Sequence, residues 1–200
     1  RGLVQAMGCE VQDLGNKPNR LNATRAALRA AAASCDLIIT SGGVSMGEED
    51  HLRPAVQAEG RLDLWQIAMK PGKPLAFGAV RREDGSEAWF MGLPGNPVSS
   101  FVTFLLTVRP VLLRLQGAHA ESWALRSYPL RAAFDWPKPD RRREFVRTRV
   151  NAEGAVELFP NQSSGVLTSA VWADGLVDIA AGQVIARGET VRFVPLSELG

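Results

Sequence analysis

Cysteine is nearly missing from this 200-residue chain. The two present, Cys9 and Cys35, cannot build a disulfide framework or a Cys-rich zinc site, and their rarity suits a reducing compartment, so a cytoplasmic location is expected. Histidine is as scarce: His51 has no His or Cys neighbour in sequence with which to hold a metal and reads as structural or solvent-facing. No run of about 18 apolar residues is free of charge, and no basic-then-apolar signal segment opens the chain. Neither a membrane span nor a secretion signal is expected. A surplus of one charge is also missing, with 23 Lys and Arg against 21 Asp and Glu, so the balance argues for neither nucleic acid nor a charged membrane as partner.

What is present is a hydrophobic share of 46%, enough for a sizeable core in one large domain or two small ones. The chain opens on Arg1 and passes straight into an apolar, helix-like run, which reads as a fragment starting inside a helix.

Cys9 to Leu14 alternates and predicts a short strand; Asn22 precedes an alanine-rich helix over Ala23 to Ala33; Asp36 to Thr40 predicts a strand buried on both faces. Together these make a βαβ unit. Glu48-Glu49-Asp50 opens a helix to about Glu59, and Leu62 to Met69 predicts another strand. Leu75 to Val80 and Ala88 to Met91 form a hairpin around Glu83 to Ser86, and Val98 to Leu115 is a strongly apolar helix with Pro97 near its first turn. From Tyr128 the pattern changes to short alternating runs, Tyr128 to Phe134, Phe145 to Val150, Ala155 to Phe159 and Val191 to Val194. The fold class is therefore α/β: a three-layer α/β domain over 1–120, incomplete at its start, followed by a small β-rich, barrel-like domain over 121–200, with Gly117 to Trp123 as linker.

Three loops stand where strands run into helices or turns, the usual ligand positions of an open α/β sheet. Thr40 to Gly47 offers Ser41, Gly42, Gly43 and Ser45 as a phosphate cradle, against the plainer reading of a tight glycine turn. Asp50, beside it, either complements the helix dipole, as Glu48 and Glu49 would, or holds Mg²⁺ bridged to phosphate. Lys70 and Lys73 sit on a Lys-Pro-Gly-Lys-Pro loop whose prolines fix the backbone, so both ammonium groups can converge on one oxyanion. Gly92 to Pro97 forms the third loop, with Ser99 and Ser100 as hydroxyl donors or merely as helix-start residues. In the second half Lys138, Arg141, Arg142, Arg143, Arg147 and Arg149 crowd one strand. Alternation puts Arg143, Arg147 and Arg149 on one face and Arg142 nearer the other; a solvated face is the plain reading of such a run. The five tryptophans have no paired spacing and read as packing residues.

Ser41-Gly-Gly-Val-Ser-Met-Gly-Glu-Glu-Asp50, Met69-Lys-Pro-Gly-Lys-Pro-Leu-Ala-Phe-Gly78 and Gly92-Leu-Pro-Gly-Asn-Pro-Val-Ser99 resemble, in order and spacing, the signature loops of molybdopterin molybdenumtransferases, the family that includes the gephyrin E domain. Arg142-Arg-Glu-Phe145 and Gln162-Ser-Ser-Gly165 resemble loops of that family's last domain. The resemblance implies a homodimer that converts adenylylated molybdopterin and molybdate into molybdenum cofactor and AMP with Mg²⁺, with a molybdopterin adenylyltransferase as a possible partner. It associates Ser45 and Asp50 with the pterin-phosphate and metal side. Lys70, Lys73, Pro74, Arg142 and Ser164 match positions associated with molybdate, and Gly95, Asn96 and Ser99 lie in the third signature loop. Asn19 and Arg20 stand where family members often carry acidic residues. The family's upstream Thr-Gly-Asp-Glu loop is absent from the chain.

Two alternatives come from other classes. A molybdopterin adenylyltransferase-like pterin-binding protein would share the glycine loop but lack the Lys-Pro-Gly-Lys-Pro loop and the β-rich domain. A non-enzymatic dimeric scaffold would need a protein partner that nothing in the sequence identifies.

Overall fold

The computed structural model describes residues 1–16, 20–44 and 51–199. They pack as two compact units: Arg1–Ile67 with Gly72–Gly95, and Ala68–Pro71 with Asn96–Gly200.

In the first unit, helix α1 (Gly2–Ala6) is followed by an irregular segment, helix α2 (Leu21–Ser34), strand β1 (Leu37–Ser41), helix α3 (Leu52–Glu59) and strand β2 (Gly60–Gln66). A two-residue strand, β3 (Met69–Lys70), belongs to the second unit; β4 (Pro74–Arg81) and β5 (Glu87–Leu93) return to the first. The sheet order is β1-β5-β4-β2, with β1 parallel to β5 and the other pairs antiparallel. The expected hairpin is the β4–β5 pair, closed at Gly85 by a positive φ of 84° that glycine adopts without strain.

The core joins Leu28, Ala31 and Ala32 of α2 and Leu52, Ala55 and Val56 of α3 to Ile38, Ala76, Val80, Ala88 and Phe90 of the sheet. Small residues on α2 permit that close approach. Arg25 and Arg29 both bind Glu59 at the end of α3, at 2.6 and 2.7 Å, tying the two helices. Arg82 donates to the carbonyls of Ala32 (2.7 Å) and Cys35 (2.9 Å), supplying partners where the helical ladder of α2 ends.

Three local expectations are corrected. Cys9 to Leu14 has no regular secondary structure and joins no ladder among the described residues; Gln12 instead meets Ser34 Oγ at 2.9 Å, so the βαβ unit reduces to α2 and β1. Arg20, not Asn22, occupies the N-cap of α2, and it makes no side-chain cap. In β1 only Ile38 is buried, because β1 is the edge strand of the described sheet. The start of the helix expected from Glu48 lies outside the described residues.

The second unit begins with one continuous helix over 97–115, built from α4 (Pro97–Thr103), a π-helical turn at Phe104–Val108 and α5 (Arg109–Leu115). Pro110 has no N–H to donate, and the widened turn lies just before it. By length and apolar composition alone this helix could cross a membrane. Arg109 interrupts the apolar run and donates to the Glu198 carbonyl, and Val98, Val102, Phe104, Leu105, Val108 and Leu112 are buried, as in a core helix.

After α6 (Ala120–Trp123) come β6 (Tyr128–Arg131), β7 (Arg143–Val150), β8 (Val156–Leu158), helix α7 (Thr168–Trp172), β9 (Gly175–Ile179) and β10 (Thr190–Pro195). The order is β3-β7-β9-β10-β6, with β8 also on β7. Ala132, just past β6, bridges to Val156 of β8, which links the β6 end of that path back to the strand beside β7 and gives the unit its barrel-like closure. Val146, Val156, Val177, Ile179, Val191 and Phe193 fill it. Strand β9 had no counterpart in the sequence reading; all five of its residues are buried.

Candidate functional site

In the first unit, parallel pairing sets the C-terminal ends of β1 and β5 side by side, with Ser41 opposite Leu93. Two glycine loops leave from this edge, the place where ligands meet open α/β sheets. Gly42 and Gly43 have φ of 84° and 70°, a consecutive left-handed pair open to glycine and strained for other residues. A Cβ on Gly95 would lie 3.7 Å from Gly42 Cα, so the loops touch. The Gly42 N–H donates to the Leu93 carbonyl at 3.0 Å, which commits it to the fold and removes it from the expected anion cradle. Ser41, Gly43 and Gly95 are exposed. Ser45 and Asp50 lie outside the described residues.

Behind the loops, a Cβ at Gly92 would lie 2.5 Å from Val44 Cγ1 and 3.1 Å from the Ala76 Cβ, so only glycine fits there. The Thr40 Oγ1, 3.4 Å from that same point, is buried and without a hydrogen-bond partner among the described residues. Lys73 is exposed, with no ion pair among the described residues; its carbonyl accepts the Ile67 N–H, and Pro74 begins β4 beside it.

In the second unit, Lys70 lies opposite Glu144 in the β3–β7 register. Its Nζ is 2.7 Å from Glu144 Oε1 and 3.5 Å from Asp140 Oδ2. Arg142 grips Asp140 with both ends of its guanidinium, Nε to Oδ1 at 3.0 Å and Nη2 to Oδ2 at 2.8 Å, while its own N–H donates to Oδ1 at 2.9 Å. Trp136 Nε1 donates to Glu144 Oε2 at 3.1 Å. The hydrogen bonds from Arg142 hold the Asp140 carboxyl well below the usual carboxylate range, and Asp140 in turn raises the Arg142 guanidinium. Two cations and two carboxylates thus form one locally neutral cluster.

A second cluster lies at the start of the long helix. Asn96 is its N-cap but does not cap it; Nδ2 donates to Ser164 Oγ at 3.1 Å, and the Val98 N–H donates to the Ser164 carbonyl at 3.0 Å. Ser99 is buried. The Ser164 loop is held by Gln162, whose amide accepts the Arg147 N–H and donates to the Arg147 carbonyl, both at 2.9 Å.

Arg147 corrects the picture of a solvated basic face. The residue is 1% exposed, its guanidinium donates to Ser169 Oγ (3.1 Å) and to the Ser163 carbonyl (3.3 Å), and burial pushes that group down to about 10. The expected alternation does hold. Arg143 lies over Phe145 and binds Asp178, and Arg149 lies over Trp172 and binds Glu157, while Val146 faces the core.

Asp140 was not singled out from sequence, and Glu144, Trp136, Arg147 and Gln162 were met there only in motifs or as packing and surface residues, without these contacts. The available signal was two acids, Asp140 and Glu144, flanking Arg142 at two-residue spacing inside a basic run, the pattern of charges that pair with each other. The tryptophans pack as expected: Trp89 stacks on Phe77 with ring centres 5.5 Å apart, and Trp65 lies against the first core.

These loops lie within matched families. Residues 1–114 match the family described as "Probable molybdopterin binding domain", and residues 129–196 match the "MoeA C-terminal region (domain IV)". The chain belongs to the molybdopterin-binding domain family, here joined to a MoeA-type C-terminal region. Among curated relatives, the molybdopterin molybdenumtransferase of Haemophilus influenzae is 37% identical over 98% of this chain and 48% of its own length. The Drosophila melanogaster molybdenum cofactor synthesis protein cinnamon is 36% identical over 73% of the chain and 24% of its own. The crystal structure of a molybdopterin biosynthesis MoeA protein from Pyrococcus horikosii superimposes with a TM-score of 0.75 at 25% identity, covering 97% of this chain and 46% of that one. The chain spans about half the length of the first of these relatives.

Proposed function

We propose that the protein is a molybdopterin molybdenumtransferase of molybdenum cofactor synthesis, taking adenylylated molybdopterin and molybdate and releasing AMP and molybdenum cofactor. The likeness to the H. influenzae enzyme over nearly the whole chain supports this class. The match to the MoeA C-terminal region counts against the adenylyltransferase alternative, which lacks such a domain. A division of the chain into 1–120 and 121–200 is part of this reading; the matched stretches, 1–114 and 129–196, support it, whereas the compact units divide between Gly95 and Asn96, with the helix over 97–115 in the second.

The single observation that carries the site reading is the adjacency of Lys70 and Arg142 around Asp140, two cations from separate signature loops. They attract and orient molybdate, with the Ser164 hydroxyl as a neutral donor. Lys73, in the first unit beside Pro74, has no ion pair among the described residues, and its signature loop assigns it to molybdate as well. Ser41, Gly43 and Gly95 let the main chain approach the pterin side. Positioning and charge neutralisation suffice for this chemistry; no protein nucleophile is required.

Mg²⁺ would be held by Asp50 and would neutralise phosphate charge. Among the described residues no three His, Cys, Asp or Glu side chains group to hold a metal, and both carboxylates of the Lys70 cluster are already engaged by cations, so no step is routed through the ion. The reading includes a cytoplasmic homodimer, with a molybdopterin adenylyltransferase as the source of its substrate.

The test is Lys73→Gln, which keeps most of the side chain and removes one charge, at a cost of about 1.5–3 kcal/mol for a charge-assisted contact. Half-saturating molybdate should rise roughly tenfold or more while molybdopterin affinity holds. Unchanged molybdate dependence with lost pterin binding would reverse the assignment.

A further inference from the structure

We propose that the Asp140 carboxylate is an internal competitor of molybdate: it bridges Lys70 and Arg142 as an oxyanion would and must swing aside for molybdate to bind them. This rests on the molybdate reading given above.

The two acids of the cluster are not equivalent. Glu144 is locked, with its side chain 3% exposed, its two oxygens taken by Lys70 and Trp136, and its backbone in the β7 ladder. Asp140 precedes β7, its side chain is 21% exposed, and the cations it joins are more open still, Lys70 at 46% and Arg142 at 35%. Solvent therefore reaches Asp140 and both cations. One oxygen, Oδ2, contacts both cations, at 3.5 and 2.8 Å, a bridging position that one oxygen of a tetrahedral anion would also fill.

Charge gives the consequence. With Asp140 in place, two cations face two carboxylates and a dianion meets no net attraction. With Asp140 turned away, a net positive charge of one remains, and the departing carboxylate gains hydration. The Arg142 N–H to Oδ1 bond is a short-range turn contact, so rotation about the Asp140 side chain breaks contacts without unravelling a strand. Two positive groups are thus kept together but masked, and an anion that binds too weakly to displace a carboxylate is rejected.

Asp140→Asn tests this, because the Asn carbonyl can still accept the Arg142 N–H while the competing charge is gone. Molybdate binding to the full chain, measured by equilibrium dialysis, should tighten about two- to fivefold, the scale of one solvent-reachable ion pair. Asp140→Ser, which also keeps a short oxygen acceptor, serves if the Asn variant melts early and should shift binding the same way. A residue with a merely structural role would weaken binding when replaced, so unchanged or weaker binding in a folded variant overturns the proposal. Lys70→Gln separates the two claims. If it weakens molybdate binding while Asp140→Asn does not tighten it, only the competitor fails. If Lys70→Gln changes nothing, the molybdate reading of the cluster fails, and the competitor with it.

Discussion

Asn96 Nδ2 donates to Ser164 Oγ at 3.1 Å across a sequence separation of 68 residues, tying the Gly-Asn-Pro loop to the Gln-Ser-Ser-Gly loop. Two segments that resemble family signatures separately are one hydrogen-bonded structure. Asn96→Ala should cost about 0.5–1.5 kcal/mol or less, since both groups are near solvent. The sharper readout is amide exchange at Val98, whose N–H donates to the Ser164 carbonyl; it should quicken in Asn96→Ala while the amides of β9 stay protected.

Arg147 carries a buried charge with no carboxylate partner among the described residues, so its hydrogen bonds must justify its burial. Arg147→Met leaves the Ser163 carbonyl and Ser169 Oγ without their donor and should destabilise the chain by about 1–3 kcal/mol. Arg149→Met, which loses an exposed pair with Glu157, should cost under about 1 kcal/mol. Urea midpoints of the two variants check the contrast. Equal midpoints would mean that the strand tolerates Arg147 rather than depends on it.

Glycines at the β5 end divide by cause. Gly92→Ala drives a methyl into Val44 and should cost about 1–3 kcal/mol, read as a lowered Tm. Gly95→Ala finds 3.7 Å of clearance and should melt nearly as the parent does, while weakening molybdopterin binding if the backbone approaches the pterin there.

Acid should act on the second unit through Asp140. Its folded pKa is lowered from an ordinary 3.8, chiefly by hydrogen bonds from the Arg142 side chain. A depressed carboxylate contributes stability above its unfolded pKa, and that contribution disappears as pH falls through the folded value. Asp140→Asn should therefore show a smaller loss of urea stability between about pH 6 and about pH 3 than the parent chain. A steeper loss would show that the Arg142 pair does not stabilise the fold.

The β4–β5 hairpin and the helix over 97–115 were legible because each obeys one period over a long stretch. Strand β9 was not: Gly175-Leu-Val-Asp-Ile179 buries Asp178, which reads as a breaker until Arg143 and Arg192 are found to neutralise it. Cys9 to Leu14 failed for the opposite reason, since alternation records which face is apolar and not whether a neighbour exists to complete the ladder. At the site, sequence showed the cations and the glycines, which became telling only through the order and spacing of their loops. It did not show that Asp140 and Glu144 neutralise Lys70, because those contacts join β3 to residues seventy or more positions away. Nor did it show that Gly42 spends its N–H on Leu93. Both are properties of pairing across the fold.

The central claim is tested most directly by AMP release. The protein is loaded with adenylylated molybdopterin, molybdate is added, and AMP is measured before and after. The account predicts little AMP before molybdate and about one AMP per loaded pterin after it, with the release blunted in Lys70→Gln and Lys73→Gln. Release at the same rate without molybdate, or net adenylylation of molybdopterin from ATP, would contradict it.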